Sequence, residues 1–122
     1  MNKNICTLIH QCTGTPITFC YGEEAYKKYL EKKYKTKEDL LTDAQTTILI
    51  RDNKLSIVIV ICDNKIINIY EQKALIVHEL NHAVTELMDH FSFNCDEFRS
   101  YTLQWLYLEF MPFFDKLLTK ES

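Results

Sequence analysis

The chain has little that loosens a backbone, with 2 Gly and 2 Pro in 122 residues. That scarcity argues against a long flexible linker between modules. It also has no C-x-x-C pair. The five cysteines, Cys6, Cys12, Cys20, Cys62 and Cys95, are odd in number, which fits neither a disulfide framework nor a zinc ribbon. Reduced thiols and a cytoplasmic setting are expected. A basic excess is missing too: 14 Lys and Arg stand against 17 Asp and Glu, a formal charge of -3. A nucleic-acid footprint usually needs the opposite balance, so no nucleic acid is expected as a partner. The one basic cluster, Lys27, Lys28, Lys32, Lys33, Lys35 and Lys37, alternates with Glu31, Glu38 and Asp39 and reads as a solvated helix face. Long apolar runs are lacking. Ile57 to Cys62 is far too short to span a membrane, and Ile5 to Ile9 is too short for the core of a signal peptide. No membrane partner is expected.

The rest of the composition, 47% hydrophobic and 25% charged, is ordinary for a globular protein. A single domain spanning residues 1–122 is the expectation. Ile5 to Ile9 and Ile17 to Tyr21 read as short strands around the turn Gly14-Thr15-Pro16. Glu23 to Lys35 places Tyr26, Tyr29, Leu30 and Tyr34 at helical spacing, which predicts a surface helix with tyrosines inside. Gln45 to Arg51 and Leu55 to Cys62 are rich in β-branched residues, and Asp52-Asn53-Lys54 between them predicts a hairpin. The second of these strands is apolar at nearly every position and should be covered on both faces. Lys65 to Tyr70 reads as a further short strand or a loop. From about Glu71 to Phe91 the period is helical. A second helix is expected from about Cys95 to Met111, stopped or kinked at Pro112, with Phe113 to Lys120 adding a last helical turn or two. The predicted fold is therefore α+β: a small, mostly antiparallel sheet packed against one helix and followed by another.

The first of these two helices carries His78-Glu79-Leu80-Asn81-His82. Histidines four apart lie roughly 40° apart around a helix, so both imidazoles reach one ion, and zinc favours such nitrogen ligands. Glu79 is placed to touch a water beside the ion rather than the ion itself. Val77, Leu80, Val84, Leu87 and Phe91 form a separate apolar stripe that can bury against the sheet. The bland alternative is two ordinary histidines on a polar face. Catalytic zinc usually takes three protein ligands, and the next helix offers Glu97, which shares a face with Tyr101. Glu97 is equally placed to close a capping box with Asn94. Asp96, Glu86, Asp89, His90 and Cys95 compete for the third position, and Glu86 or Asp89 is also placed to orient an imidazole.

Val77-His78-Glu79-Leu80-Asn81-His82-Ala83, followed by Glu97-Phe98-Arg99-Ser100-Tyr101, resembles a minimal gluzincin, a class of zinc metallopeptidases. More narrowly it is similar to small phage-encoded HExxH metallopeptidases, which often read E-x-x-A-Y in the second helix. Ser100 stands here where their alanine would be. The resemblance covers about Ala74 to Trp105. It implies zinc held by His78, His82 and Glu97, and a peptide or protein substrate. Glu79 would serve as general base, and Tyr101 would donate a hydrogen bond to the developing oxyanion. If a phage encodes the chain, the setting would be the host cytoplasm. An extended substrate would pair with a sheet edge, either Leu55 to Cys62 or Gln45 to Arg51. The expected function is a zinc metalloendopeptidase with a narrow intracellular target. The alternative is a catalytically silent, metal-stabilised protein of this fold that binds or regulates a partner.

Overall fold

Strand β4, Lys54–Ile61, organises the molecule. Its side chains alternate between two cores: Leu55, Ile57, Ile59 and Ile61 enter one, Val58 and Val60 the other. A strand buried on both faces needs apolar residues at every position, which explains its unbroken run. The computed structural model describes residues 3–40, 42–63 and 68–121, and side chains through residue 117.

Around β4 stand β1 (Ile5–Ile9), β2 (Pro16–Tyr21) and β3 (Ala44–Arg51), in the order β1-β2-β4-β3. β1 with β2 and β3 with β4 pair antiparallel, while β2 and β4 run parallel, so the sheet is mixed. The parallel pair arises because helix α1 (Glu23–Tyr34) crosses over between β2 and the β3–β4 hairpin. The hairpin closes through Asp52 and Asn53, at φ 54° and 64°. Positive φ at both positions of a two-residue loop matches the twist of the strands, and Asp and Asn tolerate it better than most residues. Gly22, between β2 and α1, has φ 97°, and a Cβ there would meet the Asp63 carboxylate at 3.1 Å. The positive φ is what favours glycine there, because the exposed Asp63 side chain has room to shift.

One face of the sheet packs on α1 through Tyr26 and Leu30 against Cys20, Val58 and Val60. The other is covered by α2 (Ile69–His90) and α3 (Asp96–Glu121). Helix α2 lies against β3 and β4. Helix α3 reaches β2 through ring contacts, Phe19 with Phe110 at 5.1 Å and Tyr21 with Phe114 at 5.8 Å. Helix α2 starts at Asn68, whose side chain accepts from the Glu71 N–H at 2.9 Å and donates to the Glu71 carboxylate at 3.0 Å. These bonds satisfy the first turn from both sides.

Two expectations change. Residues 69–70 are helical rather than strand or loop, and residues 64–67 of that expectation lie outside the described residues. Pro112 does not end the second helix, and the helical turns expected at Phe113 to Lys120 are part of it, as it continues to Glu121. Pro112 is exposed, so its ring displaces no packed neighbour. Phe110, Met111 and Phe114 are buried on either side of it and hold the helix across the missing hydrogen bond. Among the described residues, no helix is long and apolar enough to cross a membrane.

Candidate metal centre

Helix α2 commits its two sides differently. Ile76, Leu80, Ala83, Val84 and Leu87 are buried in the core, whereas His78, Asn81 and His82 are exposed. Val77 departs from the expected apolar stripe and is 40% exposed. The histidines converge: His82 Nε2 and His78 Nε2 are 3.0 Å apart, with the rings nearly perpendicular at 81°. Two imidazoles that bind one tetrahedral ion at about 2.0–2.1 Å hold their nitrogens roughly 3.3 Å apart. The observed separation is within a few tenths of that, so the pair fits a shared zinc. Without an ion, one ring donates its Nε2–H to the other.

Glu79 lies a further turn of phase towards the sheet and is only 6% exposed. Thr46 of β3 donates its hydroxyl to Glu79 Oε1 at 2.7 Å. The Glu79 main-chain carbonyl is a longer 3.2 Å from the Thr46 hydroxyl oxygen. Glu79 Oε2 is 4.0 Å from His78 Nε2 and has no hydrogen-bond partner among the described residues. No buried side-chain oxygen or nitrogen there lacks a partner, so Oε2 stays open to water on the histidine side. His78, Glu79 and His82 form the one group of three potential ligands among the described residues, their ligand atoms all within 4.8 Å of one another.

The second helix behaves otherwise. The Arg99 main-chain N–H donates to the Cys95 carbonyl, so the helix begins with Cys95 rather than Asn94 as its cap. Glu97 is exposed in the first turn and does not join the group. Asp96, Glu86, Asp89, His90 and Cys95 do not join it either. Near its start, α3 sends Arg99 across to α2, just as Asp115 further along pairs with Lys73 at 3.3 Å. Arg99 Nη1 donates to Asn81 Oδ1 at 3.2 Å and to Thr85 Oγ1 at 3.1 Å. Glu97, two positions away, lies roughly 160° around the helix from Arg99 and so faces outwards. Tyr101 shares that outer side and is 67% exposed. It lines a cavity with His10 and Trp105 instead of facing the histidine pair.

No family model, curated protein or solved structure matches the chain. The site is therefore read from its own geometry.

Thr46 and Arg99 escaped the reading of the sequence. Thr46 sits in a β-branched run where a threonine ordinarily faces solvent or a neighbouring strand. Only the register that sets it on the same face as Ala44 and Ile48 reveals it. Arg99 had one signal, its helical phase with the buried Leu106 and Phe110. The strand beside the site is β3, at the sheet's edge. Of the two strands considered for substrate pairing, Leu55 to Cys62 is excluded, because β4 already has β2 and β3 as neighbours.

Proposed function

We propose that the chain is a zinc-dependent peptidase in which His78 and His82 hold the ion and Glu79 is the general base. The observation that carries this reading is the state of Glu79. It is a buried carboxylate with one oxygen fixed by Thr46 and the other left open, beside two convergent imidazoles. When bound, zinc supplies Lewis acidity towards a carbonyl and makes a neighbouring water more acidic. Glu79 would accept a proton from an attacking water at Oε2 and pass it to the leaving amine. Thr46 keeps Oε1 occupied, so the carboxylate presents one oxygen in a fixed direction. An extended peptide would add to the open edge of β3, which brings its main chain past the base. Glu97 serves as third ligand only if the first turn of α3 re-docks against α2.

A second reading is a metal-stabilised protein without turnover that binds a partner. It is favoured by Arg99, because the side chain that α3 bonds to Asn81 and Thr85 of the histidine-bearing helix is a cation and not a carboxylate. Elemental analysis of protein purified without chelators, coupled to a peptide-cleavage screen with a Glu79→Gln control, separates the two. Near-stoichiometric zinc with cleavage lost in the variant supports the peptidase. Zinc without cleavage supports the second reading, and no zinc after reconstitution defeats both.

A further inference from the structure

A cavity of about 350 Å³ lies between the β1–β2 turn and α3, and neither His78 nor His82 lines it. It is lined by His10, Gln11, Cys12, Phe98, Tyr101, Thr102 and Trp105. Small-molecule pockets begin at about this size, and an apolar cavity of roughly 150 Å³ already admits a benzene ring.

His10 is the organising group. It is 6% exposed, with Phe98 and Trp105 packed edge-on at 5.5 and 5.7 Å. Its Nδ1 lies 2.9 Å from Thr13 Oγ1. The Thr13 hydroxyl spends its own proton on Thr15 Oγ1 at 2.9 Å, so it can only accept from His10. That relay fixes the neutral tautomer with hydrogen on Nδ1, and leaves Nε2 a bare lone pair. Nε2 has no partner among the described residues, yet no described buried polar atom is left without one. Nε2 must therefore be reachable, and the space beside His10 is this cavity.

The remaining walls narrow the ligand. No Asp, Glu, Lys or Arg lines the cavity, so a fully charged group entering it would lose water without gaining a counter-charge. Three aromatic side chains supply most of the apolar wall. An acceptor set among them calls for a donor on a ring. We propose that this cavity binds an uncharged aromatic ring carrying one N–H or O–H, a phenol or an indole, with that donor on His10 Nε2. The proposal does not depend on the metal reading.

Trp105 is the chain's single tryptophan and touches His10, so its fluorescence reports binding directly. Full-length protein is titrated with p-cresol, with toluene, which has the ring but no donor, and with N-acetyltyrosinamide. Saturable p-cresol binding is expected with a dissociation constant on the order of millimolar, as suits so small a ligand. Toluene should bind about threefold to tenfold more weakly, the ratio one neutral hydrogen bond provides. His10→Gln, whose amide reaches the Nε2 position, should keep the preference. His10→Asn, which reaches only the Nδ1 position, should abolish it. Binding by N-acetyltyrosinamide at least as tight as by p-cresol would support the proposal and place the ring on a polypeptide. Binding of p-cresol alone would support it for a free small molecule. Absence of saturation by p-cresol in wild type, or equal affinity for toluene and p-cresol, overturns it without recourse to any variant.

Discussion

Thr46→Val replaces the hydroxyl that holds Glu79 with a methyl of nearly the same shape, in a strand that favours valine. Thr46 has one proton. At 2.7 Å against 3.2 Å, the Glu79 carboxylate rather than its main-chain carbonyl takes it. A hydrogen bond to a charged group contributes about 1.5–3 kcal/mol, and a neutral one about half that. Glu79 is buried, but its Oε2 reaches water, so the carboxylate recovers some hydration when Thr46 is lost. A cost of about 1–2 kcal/mol follows at neutral pH in the presence of a chelator. For a chain of this size that lowers Tm by roughly 4–8 °C. The decisive measurement is the same substitution in a Glu79→Gln background, by urea denaturation. With the charge gone, the cost of Thr46→Val should fall by about 0.5–1 kcal/mol, above the roughly 0.3–0.5 kcal/mol by which independent sites depart from additivity. An equal cost in both backgrounds would show that the methyl packing, not the hydrogen bond, was lost, and the account of how Glu79 is oriented would fail.

His78→Ala and His82→Ala should each abolish zinc uptake in elemental analysis while Glu79→Gln retains it; zinc lost from the glutamine variant would make Glu79 a ligand. Arg99→Ala removes both hydrogen bonds from α3 to Asn81 and Thr85 and should cost about 1–3 kcal/mol in denaturant unfolding, whereas exposed Glu97→Ala should cost under about 0.5 kcal/mol. If Glu97→Ala also weakens zinc binding well beyond the roughly 10–100-fold of a supporting residue, α3 re-docks when the metal enters. Burial lowers the pKa of His10 below the ordinary 6.5. The unfolded chain therefore binds the proton more readily, and stability is full above about pH 6.5 and declines as pH falls towards the lowered folded value. His10→Gln should flatten that part of the stability–pH curve, and an unchanged slope would assign the acid sensitivity elsewhere.

What the sequence made legible follows the strength of each periodic signal. The doubly covered β4, the Asp52-Asn53 hairpin, α1 and α2 were all readable, because each is fixed by local pattern or turn chemistry. The parallel pairing of β2 with β4 was not, since nothing local distinguishes it from an antiparallel meander. At Pro112 the sequence left open a stop, a kink or further turns at Phe113 to Lys120, because the aromatic packing of Phe110 and Phe114 on Phe19 and Tyr21 that carries the helix on is not local. Within the site, His78, Glu79 and His82 come together because helical spacing alone sets them on one turn. Glu97 and Tyr101 depended on how α3 rotates against α2. That rotation is set by the core residues Leu106, Phe110 and Phe114 further along the helix. Those residues bring Arg99 inwards and turn Glu97 and Tyr101 out.

The mixed sheet also sets an order of assembly. β3 and β4 meet across two residues and α2 and α3 across a short turn, so both contacts close at small entropic cost. β2 reaches β4 only after the chain from Tyr21 to Lys54 has looped back. Such distant parallel pairing is intrinsically slow. His78, Glu79 and His82 share one helical turn and need no loop to meet, whereas Thr46 reaches Glu79 across 33 residues of sequence. The cavity wall formed by His10, Gln11 and Cys12 hangs on the β1–β2 hairpin, whose sole strand partner in the rest of the sheet is β4. In refolding, the environment of Trp105 should therefore mature when the β1–β2 hairpin docks on α3, making its fluorescence a clock for that long-range contact.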